Sequence, residues 1–473
     1  MQNIFFGISK YLFIFLMSFF VFFSYIIMRD KNQQSHKPAL FIQSVMMFVL
    51  HFTGFLIILM NTRDNTIVLF YGGQLVLFIL LRGIYSIAFE ELYSKGLINN
   101  MCMLLCISFI MLTRLHYRMA IKQFIIVCAA SAIAIAVTAI VSKAEQLNRL
   151  TYVYCFAGIA FLVVVLILGQ TTKGANLSIS LGGFYFQPSE FVKILYVFFL
   201  AAFLSKSVSF QRILVSALFA GMHVIILVLS RDLGSALIFF IVYVMMVYVA
   251  TGKSRYLAAG IFGGGLASVV GYKIFPHIRV RVQAFMDPWS VIDNQGYQVT
   301  QSLFAIGTGG MLGLGLYRGS PKSVPLVAQD FMFAAISEEF GGFFAICLIF
   351  LCISCFMYFI KSAIKQKNMF YKLTGLGLSI SYAVQTILTI GGAIKFIPST
   401  GVTLPLVSYG GSSVLCTMIT FAILQGLFVI SSHEEEKERK TAEQVTEAID
   451  LAITAGISIG EEPVRKKKSN TQS

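Results

Sequence analysis

The sequence predicts an all-α integral membrane protein, a polytopic helical bundle of about 13 transmembrane helices. Three observations carry that class. The 473 residues are 57% hydrophobic and only 12% charged, where a soluble chain carries about 25% charged residues. Mean hydropathy is +0.81. Apolar runs that approach or exceed the roughly 20 residues needed to cross the hydrocarbon recur along the chain.

Those runs fall near 4–28, 39–60, 67–89, 98–113, 121–142, 152–168, 188–204, 212–229, 233–250, 255–274, 331–359, 373–393 and 412–430. The first is too long for a typical leader, has no small-residue cleavage site, and is followed by Arg29, Lys31 and Lys37. The third is interrupted by Arg82. Basic residues held on the cytoplasmic side place the N-terminus outside and loop 29–38 inside. Alternation then puts Lys143, Arg149, Lys206, Arg212, Lys253, Arg255, the run from Lys361 to Lys372 and the tail after Ser431 inside. Loops 169–187, 275–330 and 394–411 come out on the far side. Arg114, Arg118 and Lys122 are the one basic cluster on the wrong side.

The net charge of +15 follows from basic residues at helix ends and in the tail. The positive-inside bias and anionic lipid account for it, so nucleic acid is not an expected partner. The eight cysteines all lie in apolar runs, as buried small hydrophobes rather than a disulfide or metal framework.

Polar chemistry is concentrated in the far-side loops, where it is costly and points to a site. Loop 275–330 crowds acids, arginines, amides and glycines between two apolar runs. In segment 173–193, Pro188 suits a helix start, and Ser189 and Glu190 favour its N-terminus. Glu190 and Lys193 share a helix face, as a neutralising pair or as binding residues. Asp232 precedes an apolar run as an N-cap or a site acid. Asp330 opens the run at 331 in the same two senses. Glu338 and Glu339 lie more than a turn inside and need partners, such as Lys395 or an arginine of the large loop. Segment 397–413, which holds Ser408, is rich in Pro, Gly and Ser. Irregular backbone at membrane depth must be buried or line a cavity, so it reads as a wall of a site.

The blocks FQPSEFVK, DLGSA, GYQVTQSLFAIGTGG, DFMFAAISEEFGG and TGVTLPLVSYGGSS, in that order, resemble the signature blocks of the FtsW/RodA/SpoVE (SEDS) family, over roughly residues 98–430. The resemblance implies a glycosyltransferase of the bacterial cytoplasmic membrane that polymerises lipid II, beside a class B penicillin-binding protein. The partner's membrane helix would pack near 331–359 and 373–393. About ten helices are usual in the family. Residues 1–97 therefore read as extra N-terminal helices, 98–430 as the core and 431–473 as a charged cytoplasmic tail.

Joining one lipid-linked sugar to the anomeric carbon of another needs a base for the acceptor hydroxyl and cations for the leaving diphosphate. Arg279 and Arg281 suit the diphosphate, or serve as interfacial anchors. A divalent cation is a possible further aid, and no other cofactor is expected. The family's loop aspartate falls, by ungapped count, on Val291. Asp293 is the first substitute and Asp287 the second; each also suits a turn. Glu190, Lys193, Asp232, Asp330, Glu338, Lys395 and Ser408 complete the expected substrate-binding set. A lipid II transporter, using buried charges and broken helices, and a non-catalytic scaffold lacking the loop acid are the other readings.

Overall fold

The computed structural model describes residues 2–454, apart from 30–35, 91, 145, 173–174, 182–183 and 295. Lys31 and the tail beyond residue 454 lie outside the described residues.

Three N-terminal helices, α1 (Gln2–Arg29), α2 (Lys37–Thr62) and α3 (Thr66–Phe89), precede α4 (Lys95–Leu115), α5 (Tyr117–Lys143) and α6 (Thr151–Leu168). A small antiparallel sheet follows, β1 (Gln170–Thr172), β2 (Ala175–Leu181) and β3 (Phe184–Phe186), in the order β1-β2-β3. The loop expected at 169–187 is thus partly strand. Then come α7 (Pro188–Leu204), α8 (Phe210–Leu229), α9 (Leu233–Thr251) and α10 (Ser254–Ile274). The large loop holds α11 (Pro276–Met286) and α12 (Tyr297–Gly309). The chain closes with α13 (Met332–Phe340), α14 (Gly342–Ile364), α15 (Met369–Ala393) and α16 (Gly411–Thr454).

Among the described residues, 12 helices are long and apolar enough to cross a membrane. The thirteenth expected span is α7, which is apolar but only 17 residues long. Arg82 does not interrupt α3, because its guanidinium donates to Ser44 Oγ of α2 at 2.6 Å. Helices α4 and α5 meet at His116 on the same face as loops 169–187, 230–232, 275–330 and 394–410. The basic stretches near Arg149, Lys206, Lys253 and Lys367 occupy the opposite helix ends.

The run 331–359 is not one helix. It breaks at Gly341, whose φ of +91° favours glycine. A Cβ there would come within 2.3 Å of Gly313 N. The loop 310–315 is laced into the break. Leu314 N and Gly315 N donate to Glu338 O and Glu339 O at 3.0 and 2.8 Å. Gly342 N and Phe343 N in turn donate to Gly310 O and Met311 O at 2.9 and 3.1 Å. Backbone groups freed by the break are thus satisfied inside protein, as hydrocarbon requires. Asp330 does not cap this helix; Phe331 holds the N-cap position with no side-chain bond.

Helices α1–α3 pack into the bundle rather than beside it. They help leave α4 buried along its length. Ser24 Oγ of α1 donates to Asn100 Oδ1 of α4 at 3.0 Å, and Asn100 Nδ2 donates to Ser354 Oγ of α14 at 2.9 Å. Asn99 Nδ2 donates to Gln43 Oε1 of α2 at 2.8 Å. Near the loop-rich face, Lys10 Nζ donates to Gly313 O at 3.2 Å, and Phe13 meets Phe340 edge-on with centroids 4.9 Å apart.

Glu339 does not pair with Lys395 or an arginine of the large loop. Its partner is Arg114 of α4, whose Nε lies 3.0 Å from Oε1. The Arg114 guanidinium also donates to Gly319 O at 3.2 Å and covers the Tyr317 ring at 4.3 Å. One of the wrong-side cations is thus the largely buried partner of a fully buried carboxylate. Removing one member of a buried pair strands the other and costs about 3–5 kcal/mol. Arg114→Gln should therefore lower Tm in detergent far more than Arg114→Gln combined with Glu339→Gln. Equal losses in the two variants would refute the pairing.

Candidate functional site

A cavity of about 1180 Å³ opens among the loop-rich ends of the helices. Its walls come from α5, the start of α7, the start of α9, α11, α12, the segment before α13 and the irregular stretch 395–413.

Each wall holds its polar groups for a local reason. Pro188 opens α7, which brings Ser189 and Glu190 into the first buried turn. Asp232 caps α9 by accepting from Ser235 N at 3.1 Å, and it also accepts from Ser189 Oγ at 2.9 Å and Gln187 Nε2 at 3.3 Å. The cap and the site acid are the same carboxylate. Lys193 Nζ sits 2.7 Å from Glu190 Oε2 and 2.6 Å from Gln385 Oε1. Gln385 then donates to Thr403 O at 3.0 Å, tying the pair to the irregular wall. That wall is held further by Tyr409 N donating to Ala328 O at 2.7 Å and Gly410 N donating to Gln123 Oε1 at 3.2 Å. Among the described residues, Thr400 Oγ1 is buried in it without a hydrogen-bond partner.

Arg281 projects from α11 into this space and donates from Nη1 to Ser399 O at 3.0 Å. Burial pulls its guanidinium below its ordinary pKa, while Asp330 and then Asp232 pull it back up. A Cβ at Gly401 would lie 3.8 Å from Arg281 Nη2 and 3.9 Å from Asp330 Oδ2. Arginine and aspartate therefore share one corner of the cavity. Burial, then the positive fields of Arg231 and Arg281, push the neighbouring His277 down. Arg231, Leu326 and Lys395 all line the cavity with left-handed backbone, φ +62°, +57° and +55°. Such strain in non-glycine residues clusters at functional sites.

Of the residues singled out in the sequence, Glu190, Asp232, Arg281, Asp330 and Lys395 line the cavity, and Lys193 stands directly behind Glu190. The others do not. Asp287 is exposed and accepts from Trp289 N and Ser290 N, as a turn residue does. Asp293 is exposed outside the lining, although its neighbour Asn294 lies within it. Arg279 is exposed on another face of α11. Glu338 Oε1 accepts from Ser320 N at 2.7 Å beneath the loop. Ser408 is buried in the wall, its Oγ accepting from Leu404 N at 3.2 Å. Among the described residues no three His, Cys, Asp or Glu side chains converge to hold a metal ion. Three lining cations escaped the sequence reading: Arg118, Lys122 and Arg231. The first two carried a signal, as exceptions to the charge rule.

The FTSW_RODA_SPOVE family profile, described as "Cell cycle protein", matches residues 92–433. The peptidoglycan glycosyltransferase RodA of Mycobacterium tuberculosis (strain ATCC 25618 / H37Rv) is 36% identical over 308 residues, 59% of this chain and 64% of the relative. The chain thus spans less than two thirds of that relative. RodA of Mycobacterium leprae is 32% identical over 361 residues, covering 72% of this chain and 75% of the relative. Stage V sporulation protein E of Bacillus subtilis is 33% identical over 289 residues, covering 59% and 77%. A chain from a peptidoglycan synthase complex superposes with TM-score 0.60 at 25% identity, covering 72% of this chain and 98% of that one. RodA of Thermus thermophilus shares the fold, with TM-score 0.52 at 22% identity over 72% and 97% of the two chains. With the signature blocks set around one cavity and the profile matched over most of its length, the chain belongs to the FtsW/RodA/SpoVE family.

Proposed function

We propose that the protein polymerises lipid II into peptidoglycan glycan strands at the outer face of the bacterial cytoplasmic membrane. The carrying observation is the corner beside Gly401 that Arg281 and Asp330 share inside a cavity built from the loop-rich helix ends. The names of the mycobacterial relatives, peptidoglycan glycosyltransferase RodA, support the same activity.

The acceptor sugar hydroxyl gives its proton to Asp330, and its oxygen bonds to the anomeric carbon of the donor. On the opposite side the bond to the polyprenyl diphosphate breaks, and its electron pair leaves with the phosphate. Arg281 and Arg231 meet the growing negative charge, the first already oriented by its bond to Ser399 O. Asp330 is the base in this reading because it lines the cavity in the corner it shares with Arg281, close to where the diphosphate would leave. Asp293 and Asp287, which loop position favours, stand exposed outside the lining.

A class B penicillin-binding protein is the proposed partner. Its membrane helix would take the face of α14 left by α1, where Phe343, Ile346, Phe350, Ile353 and Met357 are exposed at spacings of three and four. The orientation follows the basic stretches, with the N-terminus and cavity outside and the tail inside.

Two measurements test this reading. Ser320→Cys, in a background free of native cysteines, should react with an impermeant thiol reagent in intact cells. Reaction only after lysis would invert the orientation. With purified protein and lipid II, Asp330→Asn should slow polymerisation by roughly 10²–10⁴-fold with folding intact, and Asp293→Asn should act weakly. The opposite ranking would return the base to the loop. A wild type inert with and without its partner would leave the scaffold reading.

A further inference from the structure

Arg82 is a charge set inside a membrane-spanning helix. It lies on α3 seven residues before Phe89, about 10 Å from the helix end at roughly 1.5 Å per residue. Its guanidinium turns sideways to α2, where Ser44 Oγ accepts from Nη2 at 2.6 Å. Ser44 commits its own proton to Leu40 O at 2.7 Å, which leaves its oxygen to receive the arginine. Among the described residues no carboxylate pairs with Arg82, and most of its N–H donors have no acceptor. A hydroxyl supplies a dipole and no countercharge. The cost of a charge at this depth is therefore not met within the protein.

The surroundings indicate what meets it. Lys37 opens α2 seven residues before Ser44, two turns down the same helix face, and it is exposed. Among the described residues Lys37 also has no acidic partner, and Glu90, at the end of α3, pairs with neither cation. Arg82 and Lys37 thus mark the depth and the rim of one seam between α2 and α3. The wall beside them is apolar. Phe41, a turn from Ser44, and Ile79, a turn from Arg82, are 70% and 60% exposed. Hydrocarbon chains fit that wall, and a soluble anion does not. In the proposed orientation this end of both helices is cytoplasmic, the side where anionic lipid gathers.

We infer that Arg82 and Lys37 form a site for the phosphate of an anionic phospholipid in the cytoplasmic leaflet. The guanidinium fork can hold two phosphate oxygens, and Lys37 adds a second charge nearer the surface. A zwitterionic headgroup carries its own cation and brings no net charge to offset the two. The bound lipid closes the α2–α3 seam from outside, on helices that lie beyond the matched family region and away from the cavity.

The test uses the full chain, delipidated in detergent, with phosphatidylglycerol or phosphatidylcholine added and the retained lipids counted by native mass spectrometry. The wild type should retain one more phosphatidylglycerol than Arg82→Gln, and the two should retain phosphatidylcholine equally. Lys37→Gln should weaken retention of that one lipid roughly fivefold, the worth of a single cation near a charged surface. Equal phosphatidylglycerol counts in wild type and Arg82→Gln would overturn the site, as would a wild type that holds phosphatidylcholine there as well. Inorganic phosphate that displaces the lipid at equal concentration would assign the pair to a soluble anion and also overturn it. If Arg82→Gln fails to fold, Lys37→Gln decides, and unchanged retention overturns the site. None of these readouts depends on turnover of lipid II.

Discussion

Hydrocarbon around the bundle means that every polar group below its surface must be answered within the protein. The meeting of Arg114 and Glu339 at 3.0 Å shows how far that demand reaches. The carboxylate sits on α13, the guanidinium on α4, and the 313–320 loop closes over both through Tyr317 and Gly319, while Ser320 N donates to the adjacent Glu338. The same loop satisfies the backbone opened at Gly341. One set of polar contacts therefore permits a broken helix at membrane depth. Because α13 is free to leave the line of α14, the segment carrying Asp330 can reach the cavity.

The cavity is where that demand is met incompletely. Most polar groups in its walls are tied, through Gln385, Gln123 and the cap at Asp232. Among the described residues Thr400 Oγ1 is buried without a partner, and Arg118 and Lys122 lack an acid. Three non-glycine lining residues are held in left-handed backbone. A wall so fully braced elsewhere can hold such groups in place for a ligand, at a cost that the surrounding packing offsets.

The N-terminal helices lie outside the matched family region, yet they share its core. Asn100 links α4 to both α1 and α14, and Lys10 and Phe13 reach the glycine loop and α13. By packing along α14, α1 also limits which of its faces a partner helix can take. Through Lys10 and Phe13, α1 braces the glycine loop and the end of α13.

The sequence by itself determined the class, the apolar spans and the segments that gather on one face. Hydropathy and helical spacing report what a single element buries, and those properties are local. The Glu190–Lys193 pair and the cap at Asp232 were legible for the same reason, being contacts within one turn. Tertiary structure decided the rest. Arg114 and Glu339 are 225 residues apart, and nothing periodic links them. The break at Gly341 depends on a loop that fits only once α12 and α13 have packed. Asp287, Asp293 and Asp330 look alike as loop acids, and only the packed walls separate the one inside the cavity from the two outside. Arg118 and Lys122 stood out as exceptions to a charge rule, but the cavity beside them supplied the reason.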